Sequence, residues 1–250
     1  MSRVRARKSP LQARPAPRLS LGPVLFNWRP GAWRDFYFRI ADEAPVQVVY
    51  VGEVGCSKRA PFFVPHLAEV VERLERAGKQ VVHSTLALII SERELAAVRE
   101  TATADGLYVE ANDLSAASLL GGRRHVIGPL VNVYNEGTLA FLAGRGADRF
   151  CLAAELSGEA IRVLTQAAPA GVETEVQVFG RLPLAVSARC YHARARELAK
   201  DNCRFVCGED ADGMELESLS GQAFLAVNGT LTMSQAYACL AGELAEMTGF

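Results

Sequence analysis

The stretch that decides the fold is VQVVYVG (Val46–Gly52), followed after a short loop by VPHLAEVVERLERAGK (Val64–Lys79). The first segment is an apolar run rich in β-branched residues, which is typical of a buried strand. The second has apolar residues three and four positions apart, and Gly78 follows where a helix is expected to end. A buried strand followed by an amphipathic helix is the repeating unit of parallel sheets.

The same alternation continues along the chain. QVVHSTLAL (80–88) and LYVEA (107–111) predict strands, and between them Ser91 and Glu94 have the spacing of a helix capping box. Other helices are predicted at Glu136–Ala143 and Ser157–Gln166, and other strands at HVIGP (125–129), RFCLA (149–153), EVQVFG (175–180), GRLPLAVSA (180–188) and AFLAVNG (223–229). No glycine-rich phosphate loop follows the first strand, so we predict an α/β fold of the (β/α)8 TIM-like barrel type.

Length and charge narrow the class of protein further. The 250 residues are enough for one large core, and we expect a single domain over residues 20–250. Eight of the 27 basic residues precede the first acidic residue, Asp35, which leaves 19 basic against 28 acidic residues in the remainder. An acidic body argues against nucleic acid as the main partner.

The first 19 residues are basic, contain three prolines and lack the apolar region of a secretory signal. We interpret them as a disordered leader in preference to a targeting helix. No apolar run approaches the length of a membrane span, and the sequence therefore predicts a cytoplasmic protein.

Polar residues fall at the carboxyl ends of several predicted strands. These are Glu53, Thr85, Glu110 and Glu155. A barrel carries its chemistry at that end, although carboxylates also cap strands and helices there.

The segment RCYHARARELAKDNCRFVC (Arg189–Cys207) contains Cys190, Cys203 and Cys207, and Cys56 follows the first predicted strand. In a closed barrel the first and late strands are neighbours, so four thiolates would meet at one rim. Four thiolates suit an iron-sulfur cluster or structural zinc. The spacing lacks the CxxC pairs usual in zinc ribbons, which favours a cluster. Cys151 and Cys239 lie in apolar surroundings and are expected to be buried core thiols.

Other catalytic motifs are absent from the sequence. It contains neither an HExxH pair nor a GxSxG motif, so a zinc protease and a serine hydrolase both lack their parts. His192 is interpreted as a loop histidine, not a ligand.

Eight segments carry a resemblance to a known family. The chain is similar, from about Ser20 to Gly249, to the ubiquinone-biosynthesis branch of the collagenase-like peptidase family, in the segments SLGPVLFNW, VVYVGEVGCSKR, GKQVVHSTLAL, YVEANDL, NVYNEGTL, AELS, GRLPLAVSARC and KDNCRFVC. The resemblance implies that Cys56, Cys190, Cys203 and Cys207 hold a 4Fe-4S cluster. Relatives continue past the helix that ends at Phe250, so it also implies a barrel that can be incomplete at its C-terminus.

The resemblance further implies an enzyme subunit that is catalytic only with a homologous, cluster-bearing UbiU-type partner in a heterodimer. Together the two would hydroxylate a prenylated ubiquinone precursor without molecular oxygen, with prephenate as the oxygen donor. The alternatives are a zinc-stabilised binding module and a true peptidase. Residues in the matching motifs are candidates for substrate binding: Glu53, Lys58, Arg59, Tyr134, Asn135 and Glu155.

Overall fold

The computed structural model describes residues 17–247, and most of the predicted leader, residues 1–16, lies outside this range. Seven strands form a parallel sheet in chain order. They are β1 (Ser20–Leu21), β2 (Val48–Gly52), β3 (Gln80–Ser84), β4 (Val109–Ala111), β5 (His125–Ile127), β6 (Ala147–Cys151) and β7 (Glu173–Glu175). The predicted alternation of strand and helix is therefore confirmed through β7.

Helices cover the outer surface of this sheet. They are α1 (Pro30–Glu43), α2 (Ala60–Arg76), α3 (Glu92–Thr103), α4 (Leu114–Leu119), α5 (Glu136–Ala143) and α6 (Gly158–Ala167). The predicted capping box of α3 is present, since the Glu94 amide donates to Ser91 Oγ over 3.3 Å and Ser91 Oγ donates to the Glu94 carboxylate over 3.1 Å. Gly78 follows α2 with φ +75°, a left-handed conformation that glycine adopts without strain.

The core divides according to the two faces of the sheet. On the outer face, Val49 and Val51 pack with Tyr37 of α1 and Leu74 of α2. A second outer cluster lies under α3 to α6, where Phe150 is fully buried. The inner face of the curled sheet has a smaller apolar cluster: Val48, Tyr50, Val82 and Val126.

The sheet is curled but not closed by backbone pairing, since β1 pairs with β2 and β7 with β6. Side chains link its two edges. Ser20 Oγ donates to Glu175 Oε1 over 2.7 Å, and Arg18 Nη2 forms an ion pair with Glu173 at 2.6 Å. Arg18 belongs to the predicted leader, so its last residues lie against the sheet.

After β7 the chain leaves the parallel sheet. The strands β8 (Phe179–Val186), β9 (Met214–Glu217), β10 (Ala223–Asn228) and β11 (Leu231–Cys239) form an antiparallel sheet in the order β8-β11-β10-β9. Between β8 and β9 lie α7 (Tyr191–Ala195) and two short 3-10 turns, Lys200–Asn202 and Val206–Gly208, and α8 (Leu244–Met247) follows β11.

The fold is therefore a TIM-like α/β sheet of seven parallel strands that does not close, and the late strands predicted for the barrel lie in a second sheet. EVQVFG spans the junction between β7 and β8, and AFLAVNG is β10 of the second sheet. Barrel strands such as β2 are buried along nearly their whole length, whereas β8 is half-buried to exposed and contains Pro183, which cannot donate a backbone hydrogen bond. In the part of the chain that the structure describes, no helix is long and apolar enough to cross a bilayer.

Candidate functional site

One pocket is lined by all four cysteines that the resemblance selects. Cys56 comes from the loop after β2, whereas Cys190, Cys203 and Cys207 come from the connection between β8 and β9. The other residues that line the pocket are Lys58, Arg59, Lys200, Phe205, Val206 and Gly229. The fold thus brings together thiols that are more than a hundred residues apart in the sequence.

Hydrogen bonds link the three segments that line this pocket, which are the Cys56 loop, the segment from Cys190 to Cys207 and the β10–β11 turn. Thr230 Oγ1, in the β10–β11 turn, donates to the Gly55 carbonyl over 2.6 Å. Lys58 Nζ donates to the carbonyl of Lys200 over 2.7 Å, which joins the Cys56 loop to the segment with the other three cysteines. The second sheet therefore closes the pocket, a role that the sequence analysis had given to a barrel strand.

Cys190 is positioned at the start of α7. Its sulfur accepts from the Ala193 amide over 3.4 Å, and the residue is 8% exposed. Burial raises the pKa of this thiol, the Ala193 N–H lowers it, and the nearby Cys207 and Cys203 raise it again. The mutual effect of these sulfurs places them at one site.

Cys56 is positioned by Glu53. The Oε1 atom of Glu53 accepts from the amides of Gly55 and Cys56, each over 2.8 Å. Burial raises the pKa of Cys56, although the backbone of Lys58 and the charge of Arg59 act against it. Across the pocket, Asn27 Nδ2 donates to Cys207 Sγ over 3.5 Å.

The four cysteines share one pocket. Within residues 17–247, no three His, Cys, Asp or Glu side chains lie close enough together to bind a single metal ion. All six cysteines are free thiols.

Two of the predicted substrate-binding residues, Lys58 and Arg59, line this pocket, and a third, Glu53, is bonded to the Cys56 loop. Glu53 is used in positioning Cys56, and Lys58 bonds to Lys200 and lies 3.7 Å from Asp201. Arg59 is 3% exposed and has partners inside the protein. Their substrate role remains a prediction, but the bonds of Glu53 and Arg59 are made within the protein.

The other three predicted residues lie together on the loops after β5 and β6. Tyr134 is exposed, and its hydroxyl donates to Glu155 Oε2 over 2.6 Å. Asn135 caps α5, since its side-chain oxygen accepts from the Thr138 amide over 2.9 Å. These residues are at the carboxyl end of the parallel sheet, as predicted, but on strands distant in sheet order from β2.

A cluster of polar side chains lies inside the curled sheet, and the sequence did not predict that these residues would meet. Tyr50 donates from its hydroxyl to Glu175 Oε2 over 2.7 Å, and Asn112 Nδ2 donates to Glu110 Oε2 over 2.8 Å. Burial raises the pKa of Glu110 to about 7. Cys151 lies close enough to Glu175 and Glu110 for both carboxylates to raise its pKa. The signal that could have predicted this cluster is the alternation of inward-facing and outward-facing residues along the short strands.

Two further predictions about single residues were wrong. Cys239, expected in the core, is exposed at the end of β11. His192 is fully buried in α7, not in a loop. The Gly229 amide donates to its Nδ1 atom over 3.4 Å, so Nε2 carries the hydrogen that faces Asp210 Oδ2 at 2.7 Å.

The fold and this pocket define a class: a curled parallel β/α sheet with an antiparallel sheet that closes a four-thiol pocket at the loop after β2. The model of the peptidase family U32 matches residues 32–249, and the chain belongs to that family. The match covers the parallel sheet except β1, the antiparallel sheet and all four pocket cysteines. No solved structure matches the chain.

Proposed function

We propose that this protein is the 4Fe-4S subunit of an oxygen-independent hydroxylase that acts on ubiquinone precursors. The observation that carries the proposal is the pocket itself. The four cysteines selected by resemblance to the ubiquinone-biosynthesis protein UbiV all line one cavity, although they come from separate parts of the chain. Cys151 and Cys239, which the resemblance does not select, do not line it.

The spacing of the four cysteines favours a cluster over zinc, because it lacks the CxxC pairs usual in zinc ribbons. Structural zinc draws four ligands onto one ion at about 2.3 Å from sulfur. A 4Fe-4S cluster binds its four thiolates through different iron atoms, so the ligands surround it. Four cysteines that line one pocket supply the donor set of the second arrangement.

The backbone of the cysteine segment is strained, which supports a bound group there. Among the described residues, three of the four non-glycine residues with positive φ are Glu197, Arg204 and Phe205, all between Cys190 and Cys207. Such conformations cost about 1–2 kcal/mol each and persist where the surroundings enforce them. Four bonds to a cluster would hold this segment in place.

A bound cluster would supply electron transfer. Hydroxylation of a ring carbon by an oxygen at the oxidation level of water releases two electrons and two protons, and we propose that the cluster passes the electrons one at a time to an external electron acceptor. We propose prephenate as the oxygen donor and a homologous, cluster-bearing UbiU-type subunit as the partner in a heterodimer. The prenylated ubiquinone precursor would be the ring substrate.

The direct experiment is purification without air, followed by iron, sulfide and zinc analysis and visible spectroscopy. We expect about four irons per chain and loss of the visible absorption on Cys56→Ala, Cys190→Ala, Cys203→Ala or Cys207→Ala. Cys239→Ala is the matched control, because this exposed thiol lies outside the pocket. A colourless protein with one zinc would instead support the binding-module alternative.

The cellular experiment is the ubiquinone content of a deletion strain grown with and without air. We expect loss of ubiquinone and accumulation of an under-hydroxylated prenylated precursor only without air. Complementation with wild-type protein should restore synthesis, whereas Cys190→Ala should not. Full rescue by Cys190→Ala would contradict a catalytic cluster, and an equal aerobic defect would contradict the oxygen-independent role.

A further inference from the structure

Arg59 is a buried cation at the wall of the thiol pocket. Its side chain is 3% exposed, Nη2 donates to Asn228 Oδ1 over 2.6 Å, and Nη1 donates to the Leu25 carbonyl. Glu53 Oε1 lies 3.8 Å from Nη1. These contacts come from three different parts of the chain, so the guanidinium position is set by the whole fold and not by its own loop.

Arg59 lines the pocket together with the four cysteines. Burial alone would lower the pKa of Arg59, but Glu53, Cys207 and Cys56 raise it, and the net effect is a raised pKa. Its Nε–H is buried and has no hydrogen-bond partner in the protein. An unpartnered buried N–H of a charged group is costly, and the sulfur of Cys207, or a group bound to it, is the nearby acceptor.

The backbone makes room for this charge. Gly229 lines the same pocket with φ +66°, and a Cβ at that position would lie 2.7 Å from Arg59 Nη2. A glycine is therefore required both by the turn and by the approach of the guanidinium.

The other two cations of the pocket differ from Arg59 in their surroundings. Lys58 is 28% exposed and lies 3.7 Å from Asp201, and Lys200 is only partly buried. Charges in contact with water are screened, whereas a buried charge acts through a medium of low dielectric constant. Arg59 is thus the cation with the strongest effect on any charge that develops on the sulfurs.

We propose that Arg59 sets the reduction potential of the group that the four thiolates hold. This inference rests on the proposed function, since it requires a redox-active cluster. The positive charge stabilises the reduced cluster, and the free Nε–H is available to a cluster or thiolate sulfur. Hydrogen bonds to sulfur and nearby charge are the means by which a protein tunes such potentials. Glu53, the buried carboxylate of the same pair, acts in the opposite direction.

The test is a potentiometric titration of the full chain purified without air, monitored by electron paramagnetic resonance. Removal of the charge in Arg59→Gln should decrease the equilibrium constant for reduction at least tenfold, about 59 mV more negative for one electron. Glu53→Gln should shift the potential the other way. Lys58→Gln is the matched control for loss of one positive charge, and its shift should be much smaller.

The outcomes separate the two proposals. If the wild-type protein purified without air contains no iron, the proposed function itself is contradicted. If the wild type holds a cluster and Arg59→Gln shifts the potential no more than Lys58→Gln does, the role of Arg59 is overturned. If Arg59→Gln fails to retain iron, Glu53→Gln decides, because an unchanged or lower potential in that variant contradicts the inference.

Discussion

Glu110 shows how the interior of the curled sheet changes the chemistry of a single residue. It lies on β4, is 4% exposed and accepts a hydrogen bond from Asn112. Burial disfavours the charged form and raises its pKa to about 7 from 4.5. A carboxyl group that is neutral in the folded protein at pH 6 is ionised in the unfolded chain, so Glu110 links folding to pH.

The sign of that linkage follows from the raised pKa. Between about pH 4.5 and 7 the folded state holds a proton that the unfolded state releases, so the contribution of Glu110 to stability falls as pH rises through this range. Glu110→Gln should remove this loss. We therefore expect Glu110→Gln to become more stable relative to wild type, in free energy of unfolding, as the pH rises from 5 to 8. Denaturant titrations at several pH values measure it.

Glu155→Gln is the control for that experiment, because Glu155 is an exposed carboxylate with no buried partner atom in its hydrogen bond to Tyr134. Its stability difference from wild type should not change with pH in the same way. Parallel pH profiles of Glu110→Gln and wild type would show that Glu110 titrates normally.

Gly229 is the second residue whose replacement has a specific expected result. Gly229→Ala introduces a Cβ that would lie 2.7 Å from Arg59 Nη2, in a backbone with φ +66°. Gly221→Ala is matched, since Gly221 has φ +78° in the turn between β9 and β10 and open space around it. Both should lose about 1 kcal/mol to backbone strain, and Gly229→Ala should lose roughly 1–3 kcal/mol more. Thermal unfolding would compare them, and equal losses would contradict the packing argument.

At the scale of the element, helix α3 links its own cap to the pocket loop. Glu94 accepts from the Ile90 amide over 2.9 Å and from Ser57 Oγ over 2.9 Å, in addition to its bond with Ser91. Burial acts to raise the pKa of Glu94, but these hydrogen bonds outweigh it and the net pKa is lowered. The cap therefore also anchors Ser57, the residue after Cys56.

Ser91→Ala tests this element. Loss of the N-cap should cost about 1 kcal/mol, as N-cap replacements usually do. Ser115→Ala is a control from another helix start, because it removes a side-chain hydrogen bond to the cap residue Asp113 but keeps the cap bond to its own amide. Chemical denaturation measures both. A stability loss for Ser91→Ala no larger than that for Ser115→Ala would show that the α3 cap contributes little.

At the scale of the molecule, side chains join the open edges of the parallel sheet. Glu175 on β7 accepts from Ser20 Oγ on β1 and from the hydroxyl of Tyr50, each over 2.7 Å. Tyr50 is 2% exposed, so its hydroxyl has no access to bulk water if this acceptor is removed. One carboxylate thus connects the last strand with the first two.

Glu175→Ala should therefore be costly. Leaving the Tyr50 hydroxyl buried without a partner is expected to cost about 1–3 kcal/mol. Glu155→Ala removes the same kind of bond, from Tyr134, at the surface and should stay within about 0.5 kcal/mol of wild type. The free energy of unfolding of both variants gives the comparison, and similar values would mean that the edge contact does not stabilise the sheet.

Loss of the proposed cluster should affect the whole molecule. Cys56 belongs to the first sheet and the other three ligands to the connection within the second, so a bound cluster would tie the two together. The cluster-free protein should be cut faster by protease within residues 187–208 than the loaded protein. Limited proteolysis with mass spectrometry of the fragments checks this. Identical digestion rates would exclude a structural role for the group.

The sequence by itself determined the parallel β/α part and the identity of the four cysteines. The buried run at Val48–Gly52, the period of α2 and the capping box at Ser91 are local signals, because burial and hydrogen bonding repeat with the geometry of strand and helix. Helix α1 and the two-residue strand β1 escaped prediction: one is weakly amphipathic, and the other is too short to show a period.

Only the tertiary structure decided what closes the pocket. Asn228-Gly229 between alternating apolar residues was a hairpin signal, but a strand pattern does not say which sheet the strand joins. That choice depends on non-local pairing, as between β8 and β11, whose paired residues Val186 and Leu231 are distant in sequence. The burial of Arg59 against the sulfurs was equally hidden, since the sequence shows a charge but not the low-dielectric surroundings that give it its effect.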